Sequence, residues 1–189
     1  MAKKPLPAIS ILRQLLRYEP DTGRFFWLPR TPDRFRTGKQ TSEHNCNIWN
    51  GKYAGTEALA ADSGRGYRLG QVEGKMVYAH RVAWAMAVGS WPSHEIDHIN
   101  HDKSDNRLVN LRAVTPAENG LNRPLPRVNT SGHCGVWWHT IGKKWCAEIK
   151  VGGRKHYLGL FSDKDEAVAA WQSAAKRLGH HENHGKAAT

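Results

Sequence analysis

The sequence predicts an α+β fold in two modules: a strand–loop–strand–helix unit, then a small three-stranded antiparallel sheet with one helix. Three observations predict it. Residues 95–122, EIDHINHDKSDNRLVNLRAVTPAENGLN, set two short apolar runs around a polar loop and close on a helix start. Residues 133–178 hold three runs of strand-forming residues parted by Gly142 and by Gly152-Gly153. After them, Ala167, Ala170, Trp171, Ala174, Ala175 and Leu178 recur at helical spacings. Between the modules lies Arg123-Pro124-Leu125-Pro126-Arg127, a stiff basic joint. The expected division is an N-terminal region with the first module over 1–123, a linker over 124–132, the second module over 133–178, and a disordered tail over 179–189, where GHHENHGKAAT has no apolar pattern.

Taken in order, residues 1–8 read as a loose basic lead. Ile9, Leu12, Leu15 and Leu16 give 9–17 the stripe of a short amphipathic helix. Tyr18-Glu19-Pro20-Asp21-Thr22-Gly23 is turn chemistry, and the aromatic run 24–28 reads as a strand. Residues 29–50 are polar, with no period that assigns a structure. Residues 67–72 and 75–79 read as a hairpin turning at Glu73-Gly74. Residues 80–88 read as a buried helix that Gly89 stops. In the first module, 95–99 and 111–114 are strands and 100–107 a polar loop. Thr115-Pro116-Ala117-Glu118 then carries the signature of a capping box, with proline where its missing N–H costs nothing.

The formal net charge is +11, from 28 Lys and Arg against 17 Asp and Glu spread along the chain. That balance implies a polyanionic partner, nucleic acid first, and says nothing about catalysis. Cys46, Cys134 and Cys146 are too few and too scattered for a disulfide framework or a paired zinc clamp, so a reducing cytoplasm is the expected setting. No stretch is long and apolar enough to span a bilayer, and the first residues lack a signal-peptide core.

Asp97 and His98 stand side by side, Asn110 lies twelve residues beyond His98, and Asn119 nine beyond that. With DNR in the loop and NLR on the second strand, this set resembles the ββα-metal motif of HNH endonucleases, in the His-Asn-Asn variety of phage and intron-encoded nucleases. The likeness covers about residues 78–122 and includes the approach Tyr78-Ala79-His80-Arg81-Val82-Ala83-Trp84. It implies phosphodiester hydrolysis. His98 is the candidate base, an imidazole that titrates near neutral pH. The resemblance makes Asp97 and Asn119 the metal ligands, and their oxygen atoms suit Mg²⁺, with Mn²⁺ able to substitute. Asn110 is expected to bridge the loop backbone and hold His98 in register. His101 stands where many relatives have Gly, and a plain loop role is expected.

The second module resembles the APETALA2-type DNA-binding domain through Gly135-Val136, Trp145-x-Ala147-Glu148-Ile149 and Tyr157-Leu158-Gly159-x-Phe161. Where that family's first strand carries Arg, this chain has Trp137, Trp138 and His139, so no base preference carries over. The candidate DNA contacts are Trp137, His139, Lys150, Arg154, Lys155 and Tyr157, with Arg112 on the nuclease strand. Strict alternation sends Trp145, Ala147, Ile149 and Val151 toward the helix, together with Val136, Trp138, Leu158 and Leu160. The expectation is a metal-dependent endonuclease acting on double-stranded DNA, monomer or homodimer left open. Its alternatives are a DNA-binding regulator with a degenerate nuclease site, and an RNA-binding module.

Overall fold

The computed structural model describes residues 5–126 and 128–186. Its contacts divide the chain into two compact units. One runs to His98 and takes in Asp102–Ala113; the other holds Ile99–His101 and the chain from Val114 on.

In the first unit, α1 (Ile9–Leu15) leads into β1 (Leu16–Glu19), which pairs antiparallel with β2 (Arg24–Trp27). The apolar stripe ends one residue early as a helix because Leu16 turns extended, at φ −131°. The polar stretch 29–50 contains a 3₁₀ turn, Pro32–Arg34, and most of α2 (Ser42–Tyr53), capped by Thr41, whose hydroxyl accepts from His44 N–H at 3.2 Å. Only Cys46 of α2 is buried, so this helix offers no apolar period to read. Next come β3 (Glu57–Ala58), which completes the first sheet, and a second sheet of β4 (Ala61–Asp62), β5 (Arg68–Val72) and β6 (Lys75–Tyr78). The buried helix α3 (Ala79–Val88) follows, then β7 (Glu95–His98) and β8 (Leu111–Val114), which pair. Leu12, Leu15, Leu16, Phe25, Val72, Val82, Ile96 and Leu111 share one core, which fixes β7 against α1 and the N-terminal hairpin.

In the second unit, Thr115 and Glu118 form the full capping box of α4 (Pro116–Asn119), a single turn. A three-stranded sheet follows, β9 (Val136–His139), β10 (Lys144–Val151) and β11 (Arg154–Phe161) in the order β11-β10-β9, then α5 (Lys164–Arg177), with Asp163 capping two N–H groups. Ala147, Ile149 and Val136 pack on Ala167, Trp171, Ala174 and Ala175.

Three expectations need correction. Leu160 points away from the helix, 40% exposed. The register shifts between Ala147 and Glu148, which pair with Gly159 and Tyr157, so Leu158 is an extra residue. This β-bulge reverses the phase of alternation, and Gly159 takes φ +139° there, a conformation side chains avoid. Trp138 is also not enclosed: it lies edge-on against Trp145, centroids 5.4 Å apart, and stays 46% exposed. Residues 180–186 form turns rather than a loose tail. Their backbone N–H groups reach the carbonyls of Leu121 (from His181, 3.0 Å) and Arg123 (from Gly185, 2.8 Å), and Lys186 O accepts from Leu125 N–H at 3.1 Å. His184 supplies the apolar contact that composition hid, its ring stacked on Trp171 at 5.7 Å. The stretch 114–126 therefore folds with the second unit, where the sequence placed a boundary after 123.

Candidate active site

The loop that follows β7 is held by its own polar groups. Asp102 Oδ1 accepts from the N–H and Oγ of Ser104, at 2.8 and 2.7 Å. Asp105 grips Arg107 through Nε at 2.8 Å and Nη2 at 2.6 Å. Asn110, at the end of a 3₁₀ turn, donates from Nδ2 to Asp105 O at 2.9 Å and ties the loop to its exit.

Asp97 and His98 are both buried, although neighbours on a strand face opposite sides. The strand ends at His98, and each side chain finds its own cover. The guanidinium of Arg112, expected on DNA, lies on Asp97, with Nε and Nη2 at 3.0 and 2.8 Å from Oδ2. His98 sits in an aromatic nest, 5.1 Å from the His80 ring and 5.9 Å from Tyr67. Its Nε2 lies 3.3 Å from Asn106 Oδ1. Burial pushes the His98 pKa down, against the upward pull of Asn106 and of Asp97, Asp105 and Asp102, so the ring is neutral at physiological pH. His80 is pushed down further, to about 3, by burial and by His98 and Arg81. Its Nδ1 meets no partner among the described residues.

In the second unit, Asn119 closes α4 and its N–H donates to Thr115 O at 2.9 Å. His101 is buried with Nε2 3.0 Å from Asn122 Oδ1, and Asn122 Nδ2 reaches Ile99 O at 3.4 Å. His101 has φ +68°, which is why glycine suits the position. Its role here is to hold the turn.

Of the expected DNA contacts, Trp137, Lys150, Lys155 and Tyr157 share the sheet face away from α5. On that face Trp137 pairs with Cys146, Tyr157 with Glu148, and Lys150 with Lys155. Lys155 Nζ also meets Glu148 at 3.0 Å. His139 belongs to this face, but its Nδ1 accepts from Gly142 N–H at 2.9 Å and closes the β9–β10 turn. Arg154 pairs with Val151, which packs on the core, and so stands on the other face.

Sequence reasoning missed Asn106. The signal was present in the DNR triplet, but which side chain meets the imidazole depends on how the loop folds.

Among the described residues, no group of three or more His, Cys, Asp or Glu side chains gathers as a metal site, and none of their helices is long and apolar enough to cross a membrane. The donor chemistry of Asp97 and Asn119 is carboxylate and amide oxygen, which fits a hard divalent cation and not a thiophilic one.

A buried Asp-His pair ending a strand, a self-tied loop, a second strand and a capped helical turn define a class, and comparison with known proteins gives the same one. Residues 77–121 match the HNH endonuclease family, nucleases that generally depend on a divalent metal. The chain is also 33% identical over 103 residues to Protein 3.8 of Escherichia phage T7, covering 53% of this chain and 83% of that protein. The chain belongs to the family of that phage protein, with an HNH endonuclease domain at 77–121. No solved structure matches it.

Proposed function

We propose that this protein is a Mg²⁺-dependent DNA endonuclease of the homing type, in which His98 acts as general base. Asp97 and Asn119 hold the cation, and the three-stranded module, in the manner of an APETALA2-type domain, selects the site. The observation that carries the reading is the His98 ring, buried at the strand end next in sequence to Asp97, where burial lowers its pKa and favours the neutral form a base needs. His98 takes the proton from the water that attacks phosphorus. Asn110 keeps the loop closed over Asp105 while this happens. When bound, Mg²⁺ supplies positive charge to the phosphate oxygens and the leaving oxygen. The outer sheet face, with Trp137, Tyr157, Lys150 and Lys155, offers cations to the phosphates, and two aromatics and Glu148 to base edges. Arg154, on the opposite face, is left to phosphate contact at the sheet's end. Host-cell cytoplasm is the setting in which such an enzyme meets its DNA.

One observation favours a second reading, a DNA-binding regulator: Arg112 already neutralises Asp97. Incubation of supercoiled plasmid with the full chain separates the two. Nicked or linear product with Mg²⁺ or Mn²⁺, abolished by EDTA, is expected. DNA bound but uncut at every metal tested would establish the regulator, and cutting that persists in EDTA or requires Zn²⁺ would remove Asp97 and Asn119 as ligands.

A further inference from the structure

A neutral imidazole can act as a base only through the nitrogen that lacks the proton, so a site built on one must fix which nitrogen that is. The surroundings of Asn106 fix it here. Asn106 is 3% exposed, and its Nδ2 is 3.1 Å from Ser104 O, a carbonyl that can only accept. The NH₂ end of the amide therefore faces Ser104, and Oδ1 is the end that faces His98. An amide oxygen can only accept, so the His98 nitrogen 3.3 Å away, Nε2, carries the hydrogen. In the neutral ring Nδ1 is then the basic atom.

Asn106 does not hold itself. Its carbonyl accepts from Tyr18 Oη at 2.8 Å, and Tyr18 is steadied by stacking on Phe25 at 4.7 Å. Two residues on, Leu108 N–H donates to Pro20 O at 3.1 Å. Between these two bonds the hairpin backbone is pressed on the loop: a Cβ on Gly23 would fall 2.5 Å from Arg107 N and 2.6 Å from Asn106 C. Gly23 has φ +73° as well, so the β1–β2 turn needs glycine for both conformation and clearance. Every one of these hairpin residues lies outside the 77–121 match.

We propose that Asn106 is the positioning residue of the reaction: it sets His98 in the Nε2–H tautomer and so leaves Nδ1 as the basic atom, and the N-terminal hairpin, through Tyr18, Pro20 and Gly23, holds Asn106 in place. The inference rests on His98 being the base. It extends the catalytic apparatus some sixty residues upstream of the motif, to a turn with no chemistry of its own.

The test reads tautomer and rate separately in the full chain. Imidazole ¹⁵N shifts, with the His98 signals identified by their loss in His98→Ala, should show Nε2–H in the wild type without DNA or metal. Asn106→Leu, similar in size but without an acceptor, should lose that preference. Its kcat should fall by about 10² or more, since an imidazole held in the wrong tautomer is a poor base, with KM for DNA within about twofold. Asn106→Asp keeps the acceptor but loses the donor to Ser104 O, so it should retain the Nε2–H form with only part of the rate. Should Asn106→Leu fail to fold, Tyr18→Phe, which keeps the stacking and removes only the anchor, should shift the same signals and lower kcat in the same direction. An unchanged His98 tautomer in folded Asn106→Leu, or Tyr18→Phe in its place, overturns the proposal, as does an unchanged kcat. Undiminished cutting by His98→Ala alongside a lost tautomer preference would instead overturn the assignment of the base and leave the Asn106–His98 linkage standing.

Discussion

Arg112 places two nitrogens, Nε and Nη2, on one oxygen of Asp97, at 3.0 and 2.8 Å. The carboxylate side chain is only 10% exposed, so the pair is well shielded from solvent. Removing one member of such a pair leaves a desolvated charge behind, which costs more than the pair itself contributes. Arg112→Ala should therefore lower stability, by about 1–3 kcal/mol since Arg112 is itself partly exposed. A cation bound at Asp97 replaces the lost charge, so Mg²⁺ should raise the melting temperature of Arg112→Ala more than that of the wild type. Equal shifts in the two proteins would show that Asp97 is not where the cation binds.

His98→Ala should cut DNA about 10²–10⁴ times more slowly, the usual loss for a general base, while binding the same DNA with unchanged affinity. Single-turnover cleavage in Mg²⁺ beside a gel-shift titration measures both. Near-normal cutting would take the base away from His98.

Acid should loosen the first unit. His80 titrates near 3 in the folded chain and near 6.5 when unfolded, so between those values the unfolded state binds the extra proton. Stability from this group is intact above about pH 6.5 and lost as the pH falls toward 3, on the order of 2 kcal/mol by pH 4.5. The lowered pKa of His98 acts in the same direction. His80→Leu should flatten the denaturant midpoint against pH over this range; a slope unchanged from wild type would mean that His80 takes up its proton while folded.

Lys150→Ala tests what the outer sheet face does. If Lys150 reads a base edge, affinity for the preferred site should fall by about 1–3 kcal/mol and scrambled DNA should be little affected. If it touches phosphate, all sequences should weaken alike and the salt slope should drop by roughly one. Binding by the variant equal to wild type across a salt series would remove the face as the DNA surface.

What could be read from the sequence was local. The Thr115–Glu118 capping box closes within one turn, so three residues of spacing reveal it. The burial of Ala147, Ile149 and the α5 stripe follows from periods of two and of 3.6. The helix at 42–53 was hidden because it buries one residue, Cys46, and its other large apolar residues, Ile48, Trp49 and Tyr53, stay partly or wholly exposed among polar ones. The candidate site divides in the same way. Asp97, His98, Asn110 and Asn119 are recognisable by their spacing. The contact of Asn106 with His98 is not, because it depends on a loop shaped by Tyr18 and Pro20, about ninety residues earlier. The Asp97–Arg112 pair spans two strands whose register no local pattern gives.

The extra residue at Leu158 makes β11 a strand written in two reading phases. Phe161 and Gly159 keep one parity with β10, and Tyr157 and Lys155 the other. Substitutions along the strand are judged one side chain at a time, but a residue gained between Tyr157 and Leu160 would transpose the halves, turning either the outer set or the helix-facing set inside out, whereas loss of Leu158 alone would leave Gly159 beside Tyr157 in regular alternation. Selection against insertion should therefore be stricter here than selection on identity, and a library that varies β11 should add no residue while letting its letters change.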